Sequence, residues 1–148
     1  MLLSDEMICM DLNADTKEDA IRQLAMMAAE AGKLTSMDEY IESVLAREKT
    51  YTTGVGNGIA IPHGRSKAVK ETFIVFGKSR KGVEWEALDG KPVHLIFLLG
   101  VPEEAESEHL KVLSQISRRL MNENFVKRLK RAETKKEIIE AFKDFQQS

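Results

Sequence analysis

The stretch Gly54-Val-Gly-Asn-Gly-Ile-Ala-Ile-Pro-His-Gly-Arg65 places one histidine, His63, directly after a short apolar run. Pro62 fixes its own φ angle and lacks a backbone donor, whereas Gly64 lets the chain turn where a side chain would clash. We therefore expect a strand that ends in Pro-His-Gly and presents the imidazole at a sheet edge. Because the unperturbed pKa of histidine is ~6.5, an imidazole there is partly neutral at pH 7 and offers one ring nitrogen as a nucleophile.

The residues around this stretch predict a sheet. Three short apolar runs, at 59–61, 73–78 and 93–99, are rich in β-branched or aromatic residues and bounded by glycine, proline and polar turns. The run at 93–99 is apolar almost throughout, which is typical of a central strand covered on both faces. A further strand is expected at 7–12, and an edge element at 82–85 precedes a turn at Asp89-Gly90.

Helices are predicted before and after the sheet-forming part. Asp15 or Thr16 can cap a first helix that stops at Gly32, and Ser36-Met-Asp-Glu39 has the capping-box spacing for a second that runs to about Arg47. A long helix follows Pro102, a short one covers about 125–132, and Thr134-Lys-Lys-Glu137 is another capping box. The apolar stripes of these helices comprise Ala20, Ile21, Leu24, Met27, Ala28, Tyr40, Ile41, Val44, Leu45, Leu110, Leu113, Ile116 or Ser117, Leu120, Ile138, Ile139, Phe142 and Phe145.

These patterns predict one α/β domain over residues 1–148, with a mixed sheet of about four or five strands flanked by helices. Its composition, 43% hydrophobic and 31% charged residues, is that of a soluble globular protein. The net charge of −2 gives no reason to expect nucleic acid as a partner, and the basic cluster at 127–136 is interpreted as a solvated helix face. Cys9 stands alone, which excludes an internal disulfide and a cysteine metal cluster and favours a buried position. No signal peptide or membrane-spanning run is recognisable, so we expect a cytoplasmic location.

The three histidines have different settings. His109, in Ser107-Glu-His-Leu110, is expected in the first turn of the long helix, where unpaired N–H groups attract phosphate. It is either a phosphate-directed residue or an ordinary polar residue at a helix end. His94 opens the buried strand and is assigned a structural role, with its ring bonded to a neighbour. A zinc site built from all three is a further hypothesis, although their spacing matches no metal motif.

The glycines Gly54-x-Gly56-x-Gly58 do not form a nucleotide-binding loop. No Gly-Lys-Ser/Thr follows them, and they precede a predicted strand rather than a helix. They either bring backbone N–H groups close to a reacting group or simply turn the chain. No nucleophile-elbow motif supports serine or cysteine catalysis.

Taken together, these residues resemble a known family. Arg47-Glu48, Thr53-Gly54, Gly58-Ile-Ala-Ile-Pro-His-Gly64 and Glu108-His-Leu110 match the mannitol/fructose class of enzyme IIA, over nearly the whole chain. These are phosphocarrier domains of the bacterial phosphoenolpyruvate-dependent sugar phosphotransferase system.

The resemblance implies that His63 is a phosphohistidine nucleophile that receives its phosphoryl group from the carrier HPr and passes it to a cysteine of enzyme IIB. It also implies that His109 and Arg47 are catalytic, and we expect Asn57 and Gly58 to add uncharged phosphate-binding donors. Neither a metal nor a cofactor is required. Enzyme IIB is expected on a separate chain, and contact with the membrane only indirectly, through the IIC component.

Two alternatives remain open at this point. A regulatory module of the same fold would carry out identical chemistry at His63, and a metal-dependent hydrolase would use the three histidines. The sugar is open as well, with fructose and mannitol as the expected class.

Overall fold

A mixed sheet forms the centre of the molecule in the computed structural model, which describes residues 3–146. A 3-10 turn at Asp5–Met7 comes first. The strands are β1 (Ile8–Cys9), β2 (Gly54–Gly56), β3 (Ile59–Ala60), β4 (His63–Ser66), β5 (Phe73–Val83) and β6 (Val93–Pro102). The helices are α1 (Lys17–Glu30), α2 (Met37–Thr50), α3 (Glu106–Leu120), α4 (Glu123–Arg131) and α5 (Lys135–Gln146). This confirms the predicted α/β class.

Strand β6 is the axis of the sheet, whose order is β1-β5-β6-β3-β2. It runs antiparallel to β5 on one side and parallel to β3 and β4 on the other. From Leu95 to Leu99 its side chains have no exposed surface, so the apolar run is covered on both faces as predicted. Every other strand, and the site described below, takes its position from this element.

Strands β3 and β4 lie in line along the same edge of β6. Ile59 pairs with Leu95 and His63 with Leu99, so both strands keep one register across the gap between them. Pro62 has no N–H to donate, but its carbonyl accepts a hydrogen bond from the Leu99 amide at 3.0 Å. The expectation that a strand ends in Pro-His-Gly is therefore wrong, because β4 begins at His63. Among the described residues, six strands occupy five positions in the sheet.

Two other boundaries differ from the expected ones. The first strand is only Ile8–Cys9, because the residues before it form the 3-10 turn, and Cys9 is half-buried rather than buried. The edge element expected at 82–85 is largely the end of β5, which continues to Val83 after an irregularity in its pairing. Trp85 follows it with no exposed surface.

The helix caps confirm the sequence signals. The hydroxyl of Thr16 accepts from the Asp19 amide, and that of Ser36 accepts from the Glu39 amide, each at 3.2 Å. Among the described side chains, the predicted apolar stripes are buried or half-buried with one exception, Leu110. The side chain of Phe145 lies outside the described ones. Leu110 is 63% exposed, because at 100° per residue it falls outside the stripe that Val112 and Ile116 form.

Tyr40 joins α2 to the centre of the sheet. Its buried hydroxyl donates to the Leu99 carbonyl at 2.7 Å, and its ring meets Phe73 edge to face with centroids 5.3 Å apart. Leu99 is the residue that pairs with His63. The hydrogen bond thus sets the height of α2 above the strand that carries the histidine.

We predict that Tyr40→Phe lowers the free energy of unfolding by about 1–3 kcal/mol, because the Leu99 carbonyl is left buried without this donor. Urea denaturation followed by circular dichroism measures the change. Tyr51→Phe is the matched control: its side chain is exposed, and the same substitution is expected to change stability by less than about 0.5 kcal/mol. Equal stability of the two variants would contradict the role given to Tyr40.

Candidate active site

A cavity of about 370 Å³ opens where α2, β4 and α3 meet. Helix α2 contributes Ser43 and Arg47, β4 contributes residues 63–65, and α3 contributes His109 and Leu110. The structure therefore brings together the three residues predicted to be catalytic, although they are far apart in sequence.

Gly64 allows this close approach of α2 to β4. A Cβ atom at this position would lie 2.9 Å from Cγ2 of Val44, nearer than carbon atoms pack. The glycine is therefore needed for its lack of a side chain, which lets the middle of α2 pack directly against β4.

His63 is held in one tautomer. Its Nδ1 lies 2.8 Å from the Ile61 carbonyl oxygen, which can only accept a hydrogen bond. Nδ1 therefore carries the proton, and in the neutral ring Nε2 keeps the lone pair. The residue is 8% exposed, and because it lines the cavity, it is accessible from that side only.

The surroundings keep this imidazole neutral. Burial is the main cause that lowers the pKa of His63 below 6.5, and the positive charges of Arg47 and His109 lower it further. The hydrogen bond to Ile61 acts in the opposite direction but does not reverse the shift. A nitrogen nucleophile must be unprotonated, so the electrostatics of the site favour the reactive form.

His109 lies against His63. The two ring centroids are 5.3 Å apart and the ring planes meet at 64°. As expected, His109 is in the first turn of its helix, whose N-cap residue is Ala105. The backbone N–H groups of a helix N-terminus carry partial positive charge, which favours an anion near this imidazole.

Arg47 is fixed at the C-terminal end of α2. Its Nη1 donates to the Tyr51 carbonyl at 2.7 Å and to the Thr50 hydroxyl at 3.3 Å, an arrangement that suits a cation at a helix C-terminus. A guanidinium has five N–H donors, more than these two contacts require. The side chain is thus oriented by its own helix while it lines the cavity.

Sequence reasoning missed Arg65, Ser43 and Leu110 as lining residues. Arg65 follows His63 by two positions on β4, and the two-residue period of a strand places both on one face. That period was the available signal, once the strand was known to start at His63. Ser43 and Leu110 had no comparable signal, because their positions depend on how two helices pack.

Asn57 and Gly58 are not part of this cavity. With Gly56 they form three consecutive residues of positive φ, 98°, 58° and 77°, at the turn between β2 and β3. The backbone N–H of Asn57 donates to the Asp89 carboxylate at 3.1 Å. This geometry gives no support to the phosphate-binding role expected for the pair, and it favours the interpretation that the glycines turn the chain.

His94 is also elsewhere. Its Nδ1 lies 2.8 Å from the Ser79 carbonyl oxygen, so the ring has a hydrogen-bonding neighbour, as predicted. Within the part of the chain that the structure describes, no cluster of three or more His, Cys, Asp or Glu side chains is arranged to hold a metal ion. Nor does any helix among residues 3–146 have the length and apolar character needed to cross a membrane.

Comparison with known proteins finds relatives that match most of this chain. The chain is 40% identical over 139 residues to the fructose-specific EIIABC component of Bacillus subtilis, of which it spans 22%. It is 38% identical over 133 residues to the fructose-specific EIIA component of Haloferax volcanii, covering 90% of this chain and 86% of that protein.

Two solved structures have the same fold. The nitrogen regulatory protein IIA-Ntr of Neisseria meningitidis matches with a TM-score of 0.84 and 34% identity over 92% of each chain. The mannitol enzyme IIA of Escherichia coli, solved in complex with phosphorylated mannitol enzyme IIB, matches with a TM-score of 0.81 and 27% identity over 94% of this chain and 95% of that one. Residues 1–145 match the family model described as "Phosphoenolpyruvate-dependent sugar phosphotransferase system, EIIA 2", and the chain belongs to this family.

Proposed function

We propose that His63 accepts a phosphoryl group from the phosphohistidine of HPr and passes it to a cysteine of enzyme IIB, in support of sugar uptake. The observation that carries the proposal is the arrangement of His63, His109 and Arg47 around one cavity, with Nε2 of His63 as the unprotonated nitrogen. In this reading the protein is a cytoplasmic phosphotransferase component that needs neither metal nor cofactor.

The first step is an in-line displacement at phosphorus. The Nε2 lone pair of His63 attacks the phosphoryl group, and the P–N bond to the donor imidazole breaks with its electron pair returning to that ring. The Nδ1 proton stays on His63 throughout, because it is bonded to the Ile61 carbonyl. No proton has to leave the nucleophile, so the site needs no general base.

Charge stabilisation accounts for the other two residues. The transition state of phosphoryl transfer spreads negative charge over three equatorial oxygens, and positioned donors are its main source of catalysis. Arg47 supplies a guanidinium on one side of the cavity, and His109 supplies an imidazole at a helix N-terminus on the other. Both groups would then stabilise phosphorylated His63 as well.

The second step reverses the first with a new acceptor. A thiolate of enzyme IIB attacks phosphorus, and the Nε2–P bond breaks with its electrons returning to His63. The likeness to an enzyme IIA solved with phosphorylated IIB supports this acceptor. It would lie on a separate chain, and the membrane would be involved only through a IIC component.

Fructose is the sugar class that the relatives favour, since two of them are named fructose-specific. The 34% identity to a nitrogen regulatory IIA supports a second candidate, in which the phosphorylated state of His63 reports on metabolism instead of feeding a sugar. Both functions use the same imidazole.

We predict that phosphoenolpyruvate, enzyme I and HPr add one acid-labile phosphoryl group to this protein, seen as a single increment in intact mass. His63→Gln should abolish the increment because it removes the attacking nitrogen. His94→Gln is the matched control and should label like the parent protein, since His94 lies outside the cavity.

The proposal would be refuted if His63→Gln is labelled, or if the parent protein is not labelled. Adding a cognate IIB and IIC then separates the two candidate functions: loss of the label with formation of a sugar phosphate supports transport. A stable label in the presence of both components supports the regulatory role.

We predict that Arg47→Gln and His109→Gln each fold normally but slow phosphoryl transfer by roughly 10²–10³-fold, the usual cost of removing one preorganised donor. Rapid-quench measurement of transfer from phosphorylated HPr tests this. Lys49→Gln, which removes a cation from the exposed face of the same helix turn, is the control and should transfer within a few-fold of the parent rate. Parent-like rates for both site variants would mean that these residues do not assist.

The neutral state of His63 can be tested by its titration. We predict that NMR of the ring proton gives a pKa below 6.5, and that Arg47→Gln raises this pKa because a nearby positive charge is lost. The value should stay below 6.5 in the variant, since burial is the larger cause. The transfer rate is accordingly expected to stay flat from pH 8 to about 6.5 and to fall only at lower pH. A pKa above 6.5 in the parent protein would contradict the description of the site.

A further inference from the structure

A second cavity, of about 640 Å³, lies at the other end of β6. Strands β5 and β6 and the end of α4 form its walls, and it shares no lining residue with the cavity at His63. On β6 it is lined by His94 and Leu95, whereas His63 pairs with Leu99. Four or five residues of strand separate the two cavities by roughly 13–17 Å.

The charge of this cavity is opposite to that of the chain. Its charged lining residues are Lys78, Arg80, Lys130, Arg131 and Glu133, four cations and one anion, in a protein of net charge −2. Among the described residues, none of these four cations has a carboxylate within 4.0 Å. A concave surface with unneutralised charge of one sign concentrates ions of the other sign.

Lys78 compensates the negative end of helix α4, which would otherwise repel an anion from this cavity. Helix α4 ends at this wall, and a helix C-terminus carries partial negative charge. The ammonium of Lys78 donates to the carbonyls of Lys130 and Ala132 at 2.7 and 2.6 Å, and so compensates that charge. Burial and the positive charge of Arg80 lower the pKa of Lys78, whereas the carboxylates of Glu133 and Glu137 raise it.

The basic cluster at 127–136 is largely exposed, as the solvated-face interpretation predicts, and part of it also lines this cavity. Lys127 and Lys136 are exposed and lie outside the cavity, whereas Lys130 and Arg131 line it. The ammonium of Lys130 also donates to the Asn57 side-chain oxygen at 3.3 Å. Asn57, which sequence reasoning assigned to the histidine site, is thus connected to this second cavity.

We propose that this cavity binds a small phosphorylated ligand, with Arg80, Lys130 and Arg131 donating to the phosphate oxygens. The guanidinium fork matches two phosphate oxygens at once, and a phosphate dianion balances the excess charge better than a single carboxylate does. The volume lies within the range of roughly 300–1,000 Å³ that is usual for small-molecule pockets. Such a site would let the concentration of a phosphorylated metabolite act on the protein at a distance from His63.

The test is an NMR titration of the ¹⁵N-labelled protein with inorganic phosphate and with pyrophosphate, at constant ionic strength. We expect saturable shifts at the amides of Ser79, Leu95 and Ala132, and tighter binding of pyrophosphate. The double variant Lys130→Gln/Arg131→Gln should weaken binding at least about tenfold, because two charged donors are lost. Both residues are exposed, so the fold should be unaffected.

The control is Lys127→Gln/Lys136→Gln, which changes the net charge equally outside the cavity and should bind within about twofold of the parent protein. His63→Ala should also bind normally, which makes the outcome independent of the proposed phosphoryl transfer. Equal weakening in both double variants would show nonspecific charge attraction and overturn the proposal. So would the absence of saturation, shifts confined to the His63 cavity, or Lys130-dependent binding to phosphatidylglycerol vesicles without binding of either small anion.

Discussion

The hydrogen bond between Nδ1 of His63 and the Ile61 carbonyl is the constraint on which the site depends. It joins residues two apart in sequence, on either side of Pro62, whose ring restricts its own φ angle. It fixes both the orientation and the tautomer of the ring, and it therefore determines that Nε2 is the nitrogen with the free lone pair. The remaining contacts adjust the pKa of this ring or position groups around it, but none of them would substitute for the bond.

Strand β6 extends that local constraint to the whole fold. Its pairing with β3 and β4 holds one register across Pro62, so the proline changes the hydrogen bonding without displacing the strand. Tyr40 then fixes α2 at Leu99, opposite His63, and Gly64 removes the side chain that would hold the helix away. Arg47, at the end of α2, is consequently positioned by the same few backbone atoms that position the histidine.

Sequence patterns predicted the elements well where one local cause dominates. The caps at Thr16 and Ser36 and the continuous apolar run of β6 are each specified within a few residues, and the structure has them. Errors occurred where packing of distant elements decides. Leu110 was assigned to the core from its spacing, although only the rotation of α3 against the sheet determines its exposure. The phosphate-binding role of Asn57 stays a prediction, and a turn of three positive-φ residues places this residue outside the cavity at His63.

Transport and regulation are difficult to separate from the chemistry alone, because both proposed functions use the same imidazole. Relatives with fructose names and with nitrogen regulatory names both match most of this chain, so overall similarity does not distinguish the two functions. A partner that exchanges a phosphoryl group with His63 must approach through the one side on which the buried ring is accessible. The first surface it meets includes Leu110, an exposed apolar side chain on the rim of the cavity. Under the proposed function, a side chain on this rim is the place where partners could be distinguished, because it can change without altering the imidazole, the guanidinium or the hydrogen bond beneath them.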